Sequence, residues 1–355
     1  MLSRSLTNFL YQNIAKPVFF KLEPETVHET MTAGGEVLGR YAATRFLTDQ
    51  FFAFHDPRLS RTFNGISFPN PVGLAAGFDY QAQLPQITAS VGFGWQSIGT
   101  VTWLAYKGNP KPRLVRLKES GSLIVNKGLK GPGARIIAHK LQHQDFPIPI
   151  GISIASTNKK WASGHEQLLD IAQSFQIFEQ KDVRHSYYEM NISCPNTFGG
   201  EPFTTPDRLK LLLKMLDLMD LSRPLYLKMP SDLSSPQQVT LLKVANHHNV
   251  QGVIMANLWK KRESGVVSQK DMTVWMEHQG NLSGKPTWKR SNELVALVRN
   301  KFKNRFTIIG TGGIFSPADA QTKLDLGADL VQLVTGMIFQ GPQLIGQINR
   351  HLAEK

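Results

Sequence analysis

The chain is poor in several features that would decide its class at once. It has a single cysteine, Cys194, which excludes an intramolecular disulfide framework and any cysteine-based zinc site. A reducing compartment fits that usage, and no bound metal is expected. No apolar run approaches the roughly 20 residues needed to span a bilayer. The amino terminus lacks the compact apolar core and cleavage signal of a secretory peptide. Solenoid-type repeats and low-complexity tracts are missing as well. Acidic residues are scarce, 27 against 40 lysines and arginines, for a net charge of +13. That balance favours anionic lipid, phosphate ligands or nucleic acid. The basic residues are scattered and accompany no helix-turn-helix, RNA-binding or metal-finger pattern, so no nucleic-acid partner is expected.

From Phe68 onward the sequence reads as buried strands separated by helix-length segments. Eight strands are predicted: Val72–Ala76, Trp95–Val101, Ile148–Ile154, Tyr187–Ile192, Leu225–Met229, Gly252–Ala256, Thr307–Thr311 and Leu330–Val334. Most are short apolar runs, as suits strands covered on both faces. Amphipathic stretches such as Asp207–Leu221, Pro236–His247, Ser291–Lys301 and Ala318–Leu326 alternate with them. Repeated strand–helix units imply a parallel sheet, and eight of them imply an α/β fold of the (β/α)₈ TIM-barrel type. Thr62–Phe68 is expected to plug the barrel from beneath. Lys107–Gly133 and Trp259–Pro286 are expected as long loops, which usually carry function.

Ahead of the barrel, residues 1–45 read as a helical extension and residues 46–355 as the barrel domain. Leu6, Phe9, Leu10 and Ile14 follow helical spacing, Pro17 is expected to end that piece, and Glu23-Pro24-Glu25 suits a second helix start. The plain alternative is that both pieces cap the core. The sharper reading is a helical hairpin on a membrane surface with an apolar mouth.

Three segments are candidates to carry chemistry. In Tyr188-Glu-Met-Asn-Ile-Ser-Cys-Pro-Asn-Thr197 the cysteine stands between Asn191 and Asn196, where a strand ends. In a parallel barrel that is the end where active sites form. Ile309-Gly-Thr-Gly-Gly-Ile314 and Leu333-Val-Thr-Gly336 occupy the last two units, where glycine amides commonly bind a phosphate. Tight turns are the alternative for the glycines, and a small buried hydrophobe is the alternative for the cysteine. Trp259-Lys-Lys-Arg262 reads first as a solvated loop.

These segments, with Phe20-Lys-Leu-Glu-Pro-Glu-Thr-Val-His-Glu29, Asn70-Pro-Val-Gly-Leu-Ala-Ala-Gly-Phe-Asp79, Gly99-Thr-Val-Thr102, Gly108-Asn-Pro-Lys-Pro-Arg113 and Leu282-Ser-Gly-Lys-Pro286, resemble the quinone-dependent, membrane-associated class of dihydroorotate dehydrogenases over nearly the full length. The resemblance implies FMN as cofactor, and dihydroorotate and a quinone as partners. It implies FMN contacts from Ala75, Ala76, Gly77, Thr100, Ser153, Asn191, Lys228, Asn257, Ser283, Gly284, Gly312, Gly313, Thr335 and Gly336. Cys194 falls on the catalytic base position, and Tyr80, Asn126, Asn191, Asn196 and Asn257 on or beside the substrate. A peripheral place on the cytoplasmic face of a bacterial inner membrane is implied too.

The chain departs from the family at several positions. Tyr80 replaces a lysine that helps bind the substrate carboxylate, Val125 an asparagine, Leu258 a threonine and Ser153 a flavin-contacting asparagine. Cys194 itself stands where quinone-linked members usually carry serine. Lys127 is the nearest cation that could replace the lost one. These changes leave two alternatives open: a diverged FMN oxidoreductase for another small substrate, or a non-catalytic FMN-binding protein at a membrane.

Overall fold

The computed structural model describes residues 2–355, with side chains from Leu6 onward; Met1, at the head of the expected extension, lies outside the described residues. Eight parallel strands close into a barrel: β1 (Val72–Leu74), β2 (Trp95–Val101), β3 (Ile150–Ile154), β4 (Tyr187–Asn191), β5 (Leu225–Met229), β6 (Gly252–Met255), β7 (Thr307–Thr311) and β8 (Leu330–Leu333). Each pairs with its chain neighbours, and β8 closes on β1. Four strands end one or two residues before their predicted ends, at Leu74, Asn191, Met255 and Leu333, and β3 starts two residues late. Just beyond β1, β6 and β8, Ala75, Ala76, Ala256 and Val334 line a cavity at the carboxyl end of the barrel.

The barrel interior is packed by size alternation between neighbouring strands. Trp95, Tyr187 and Tyr226 fill its lower layer with Ile254, Ile309 and Leu330. Glycines on the neighbouring strands make room for them. A Cβ at Gly151 would lie 2.0 Å from the Tyr187 ring, and one at Gly73 would lie 2.1 Å from Trp95. The hairpin Arg61–Phe63/Ile66–Phe68 closes the amino-terminal end, adding Ile66 and Phe68 to this layer. At its turn, Asn64 donates to the Tyr226 hydroxyl at 3.0 Å and to Thr307 Oγ1 at 2.9 Å.

The two long segments expected as loops are largely ordered structure instead. Leu114–Leu117, Ser122–Val125 and Asn281–Gly284 form one antiparallel three-stranded sheet over the carboxyl end of the barrel. Leu117, Ile124, Trp275 and Leu282 give it a core of its own. Arg262 caps that core, its guanidinium 5.1 Å from the Trp275 ring centre, and Lys260 bridges Glu201 at 2.6 Å and Asp232 at 2.8 Å. The basic run at Trp259–Arg262 is thus a loop in which Lys261 and Arg262 remain exposed while Lys260 serves as a cross-link.

The helical extension also differs from expectation. Leu2–Leu10, Tyr11–Ala15 and Lys16–Phe19 run on without a break. Wider i→i+5 turns over Tyr11–Ala15 precede Pro17 and absorb the missing N–H and the ring. The chain turns only after Phe19. Glu23 then caps Pro24–Arg40, accepting from the Thr26 amide at 2.6 Å. A third helix, Ala42–Phe52, runs across the expected boundary at residue 45. Leu6, Phe9, Ile14, Val18, Leu22, Phe46 and Leu47 stand exposed on this assembly.

Candidate active site

Three adjoining cavities occupy the carboxyl end of the barrel and the gap beneath the extension. A cavity of about 110 Å³ is lined by Ala75, Gly284, Gly312, Gly313 and Gly336, with Lys228, Asn257, Ser283 and Thr335. The glycines are required by packing. A Cβ at Gly313 (φ 75°) would meet the Trp288 backbone at 2.8 Å, and one at Gly336 would meet the Ile314 carbonyl oxygen at 1.8 Å. This close-set backbone leaves an open trough bordered by small residues and hydroxyls, which fits a phosphorylated ligand.

The second cavity, about 180 Å³, adjoins it through Ala76, Lys228, Asn257, Ser283 and Thr335. Gly77, Tyr80, Thr100, Asn191, Cys194 and Asn196 also line it. The asparagines are fixed by bonds behind the cavity wall. Asn191 donates to Thr100 Oγ1 at 2.9 Å and Asn257 to the Ser193 carbonyl at 2.7 Å. Asn196 donates to the Val125 carbonyl at 2.9 Å and accepts from Asn281 at 2.7 Å, tying the segment that carries Cys194 to the upper sheet. Cys194 keeps some accessible surface toward the cavity, yet protein encloses its thiol, and burial pushes the pKa up to about 11. The nearby Lys228 opposes that shift only in part. At neutral pH the group is therefore mainly a thiol.

Two expected site residues do not reach the cavity. Leu123, Val125 and Lys127 line it at alternate positions, so Asn126 faces the other way and accepts from Asn109 at 2.9 Å. Ser153 lies one layer below the floor, fully buried, 2.9 Å from Thr100 Oγ1, and donates to Glu189 at 2.8 Å. Sequence reading also missed Glu189. It sits fully buried inside the barrel with Oε1 3.3 Å from the Lys228 ammonium. Its signal was visible, since positions 187, 189 and 191 of β4 alternate inward and a glutamate among them needs a partner.

The third cavity is the largest, about 540 Å³, and runs between the extension and the barrel. Its walls are mainly apolar, with Phe19, Val27, Met31, Leu38, Phe52 and Ile338 among them. Polar groups are few. Arg116 donates to the Leu22 carbonyl at 2.7 Å and lies 4.8 Å from the Phe20 ring centre, while Tyr11 donates to the Ile338 carbonyl at 2.6 Å. His28, Phe78, Leu114, Leu123 and Ile338 line this cavity and the second one together. They form a wall one side chain thick between a polar pocket and an apolar tunnel. No described helix is long and apolar enough to cross a membrane, and no described cluster of side chains could hold a metal ion.

Residues 58–355 match the family model for dihydroorotate dehydrogenase. The dihydroorotate dehydrogenase (quinone) of Christiangramia forsetii is 36% identical, over 98% of this chain and 99% of that protein. The corresponding protein of Chloroflexus aurantiacus is also 36% identical, over 96% of this chain and 95% of its own length. Among solved structures, that of DHODH in complex with ferulenol from Eimeria tenella matches with a TM-score of 0.79 at 24% identity, covering 94% of this chain and 91% of that one. At that identity the likeness shows the fold.

Proposed function

The chain belongs to the dihydroorotate dehydrogenase family, and from that premise we propose that it oxidises dihydroorotate to orotate with bound FMN and passes the electrons to a quinone. The observation that carries this reading is the pair of cavities divided by one layer of side chains. A pocket beside Cys194 meets an apolar tunnel under the extension, and on its other side it opens to the trough between β7, β8 and the Lys228 end of β5, whose residues would hold a flavin. When bound, FMN supplies the hydride acceptor for one substrate and the electron donor for the other.

The chain's own groups divide the remaining work. Cys194 takes the proton from the substrate ring carbon, as thiolate. Asn191, Asn196 and Asn257 orient the pyrimidine, since each amide is already held from behind. Lys228 sets a positive charge beside the flavin and favours negative charge on it. The glycines and Thr335 of the trough would hold the FMN phosphate. Arg116, His28 and Tyr11 are among the few polar groups an apolar quinone ring would meet in the tunnel. The exposed apolar residues of the first helices would dock the tunnel mouth on an anionic membrane face, in keeping with the net charge of +13. On that reading the protein is peripheral, at the cytoplasmic face of the membrane, with no nucleic-acid partner.

The test is anaerobic titration of the flavin-loaded protein with dihydroorotate, followed by addition of a short-chain quinone. Bleaching of the flavin and its recovery with quinone are the expected results. Flavin that stays oxidised would sink the proposal. Tyr80, Val125 and Leu258 in the pocket favour one rival, an FMN oxidoreductase for another small substrate, and bleaching by that compound alone would select it.

A further inference from the structure

Lys127 is an anomaly in the second cavity. It is 8% exposed, lines the pocket with Cys194, and has no carboxylate within 4.0 Å among the described residues. The nearest carboxylates are engaged elsewhere. Glu25 bridges Lys130 at 2.9 Å and Arg113 at 3.1 Å, and Glu29 bridges Lys130 at 2.5 Å. The Lys127 ammonium is held by neutral groups instead. It lies 4.3 Å from the Tyr80 ring centre and 3.2 Å from His28 Nδ1. His28 Nε2 is 2.7 Å from the Phe78 carbonyl oxygen, which can only accept. The proton of the neutral imidazole therefore sits on Nε2, and Nδ1 offers a lone pair to Lys127. Burial and the neighbouring cations keep His28 neutral, its pKa lowered to about 3.

A buried amine with only a π face and an imidazole for company is incompletely solvated. The unmet share of its charge faces the cavity. We infer that Lys127, seated on Tyr80 and His28, is the anchor for the substrate carboxylate in this chain, in place of a cation at position 80. The inference rests on the reading of this cavity as the dihydroorotate site. It also gives Tyr80 a role as the platform that positions the ammonium, and it makes the extension, through His28, part of the substrate pocket.

The inference separates charge recognition from ring recognition, and this sets the experiment. Orotate, and uracil as its carboxylate-free counterpart, are titrated into FMN-loaded wild-type protein, Lys127→Met and Lys127→Gln, with the flavin absorbance change as readout. Flavin content reports folding of each variant. Lys127→Met should weaken orotate by roughly 10- to 100-fold, the usual range for losing one charge-assisted contact, while uracil binding stays unchanged. The double variant Tyr80→Lys/Lys127→Met should recover most of the loss. Orotate bound equally by wild type and both single variants would overturn the inference and leave the wider functional reading standing. A wild-type protein that binds neither compound would overturn that reading itself.

Discussion

The ammonium of Lys228 lies 3.3 Å from Oε1 of Glu189, and both side chains are buried inside the barrel beneath the cofactor trough. The carboxylate offsets part of the positive charge that Lys228 presents upward. Glu189→Gln should therefore raise the flavin midpoint potential, read by redox titration. It should also lower stability by about 3 kcal/mol, the usual scale for leaving one partner of a buried pair alone, read by denaturant unfolding. An unchanged potential would mean that Lys228 does not act electrostatically on the flavin.

Cys194 carries a pKa of about 11 because burial disfavours its thiolate. Below that value the thiolate fraction rises about tenfold per pH unit. If proton removal limits turnover, kcat should climb close to tenfold per unit from pH 7 to pH 10. Steady-state kinetics with saturating dihydroorotate would check this, and Cys194→Ala should lose nearly all turnover while keeping its flavin. A flat profile in wild type would place the proton acceptor elsewhere.

The pKa of Lys127 is lowered to about 7, first by burial and then by Lys130 and Arg113, against the opposing pull of Glu25 and Glu29. Tyr80 and His28 complete its surroundings and are neutral at that pH. Below pH 7 the empty pocket already holds a charged ammonium, so orotate affinity should be flat. Above pH 7 the amine must take up a proton to bind a carboxylate, and affinity should fall by up to tenfold per unit. Calorimetry in two buffers of different ionisation enthalpy, at pH 8, should detect that uptake in wild type and not in Lys127→Met.

The barrel was legible from sequence because its strands are short apolar runs at even spacing, and the glycine pairs marked where backbone must pass close to backbone. Asn191, Cys194 and Asn196 were legible together because they adjoin one strand end. What remained hidden depends on direction and on long-range pairing. Asn126 and Lys127 are adjacent, and only the register of Ser122–Val125 against Asn281–Gly284 decides which of them faces the cavity. His28 reaches Lys127 across 99 positions of chain, a contact that no local pattern encodes.

The extension provides the last prediction, because its two halves do different things. Residues up to Leu22 bear the exposed apolar side chains Leu6, Phe9, Leu10, Ile14, Val18 and Leu22 and contribute Tyr11, Phe19 and Phe20 to the tunnel. Residues from Glu25 onward supply His28 to the cavity beside Cys194 and the carboxylates that hold Lys130 and Arg113. Deleting residues 1–22 should raise KM for a long-chain quinone and weaken binding to anionic vesicles, with orotate affinity and flavin content unchanged. Deleting residues 1–40 should weaken orotate as well, because Lys127 loses the imidazole that fixes it and gains solvent in its place. Kinetics with quinones of two chain lengths, together with orotate titration of both truncations, separate the effects. Equal orotate affinity in the two would mean that the extension serves the quinone and the membrane alone.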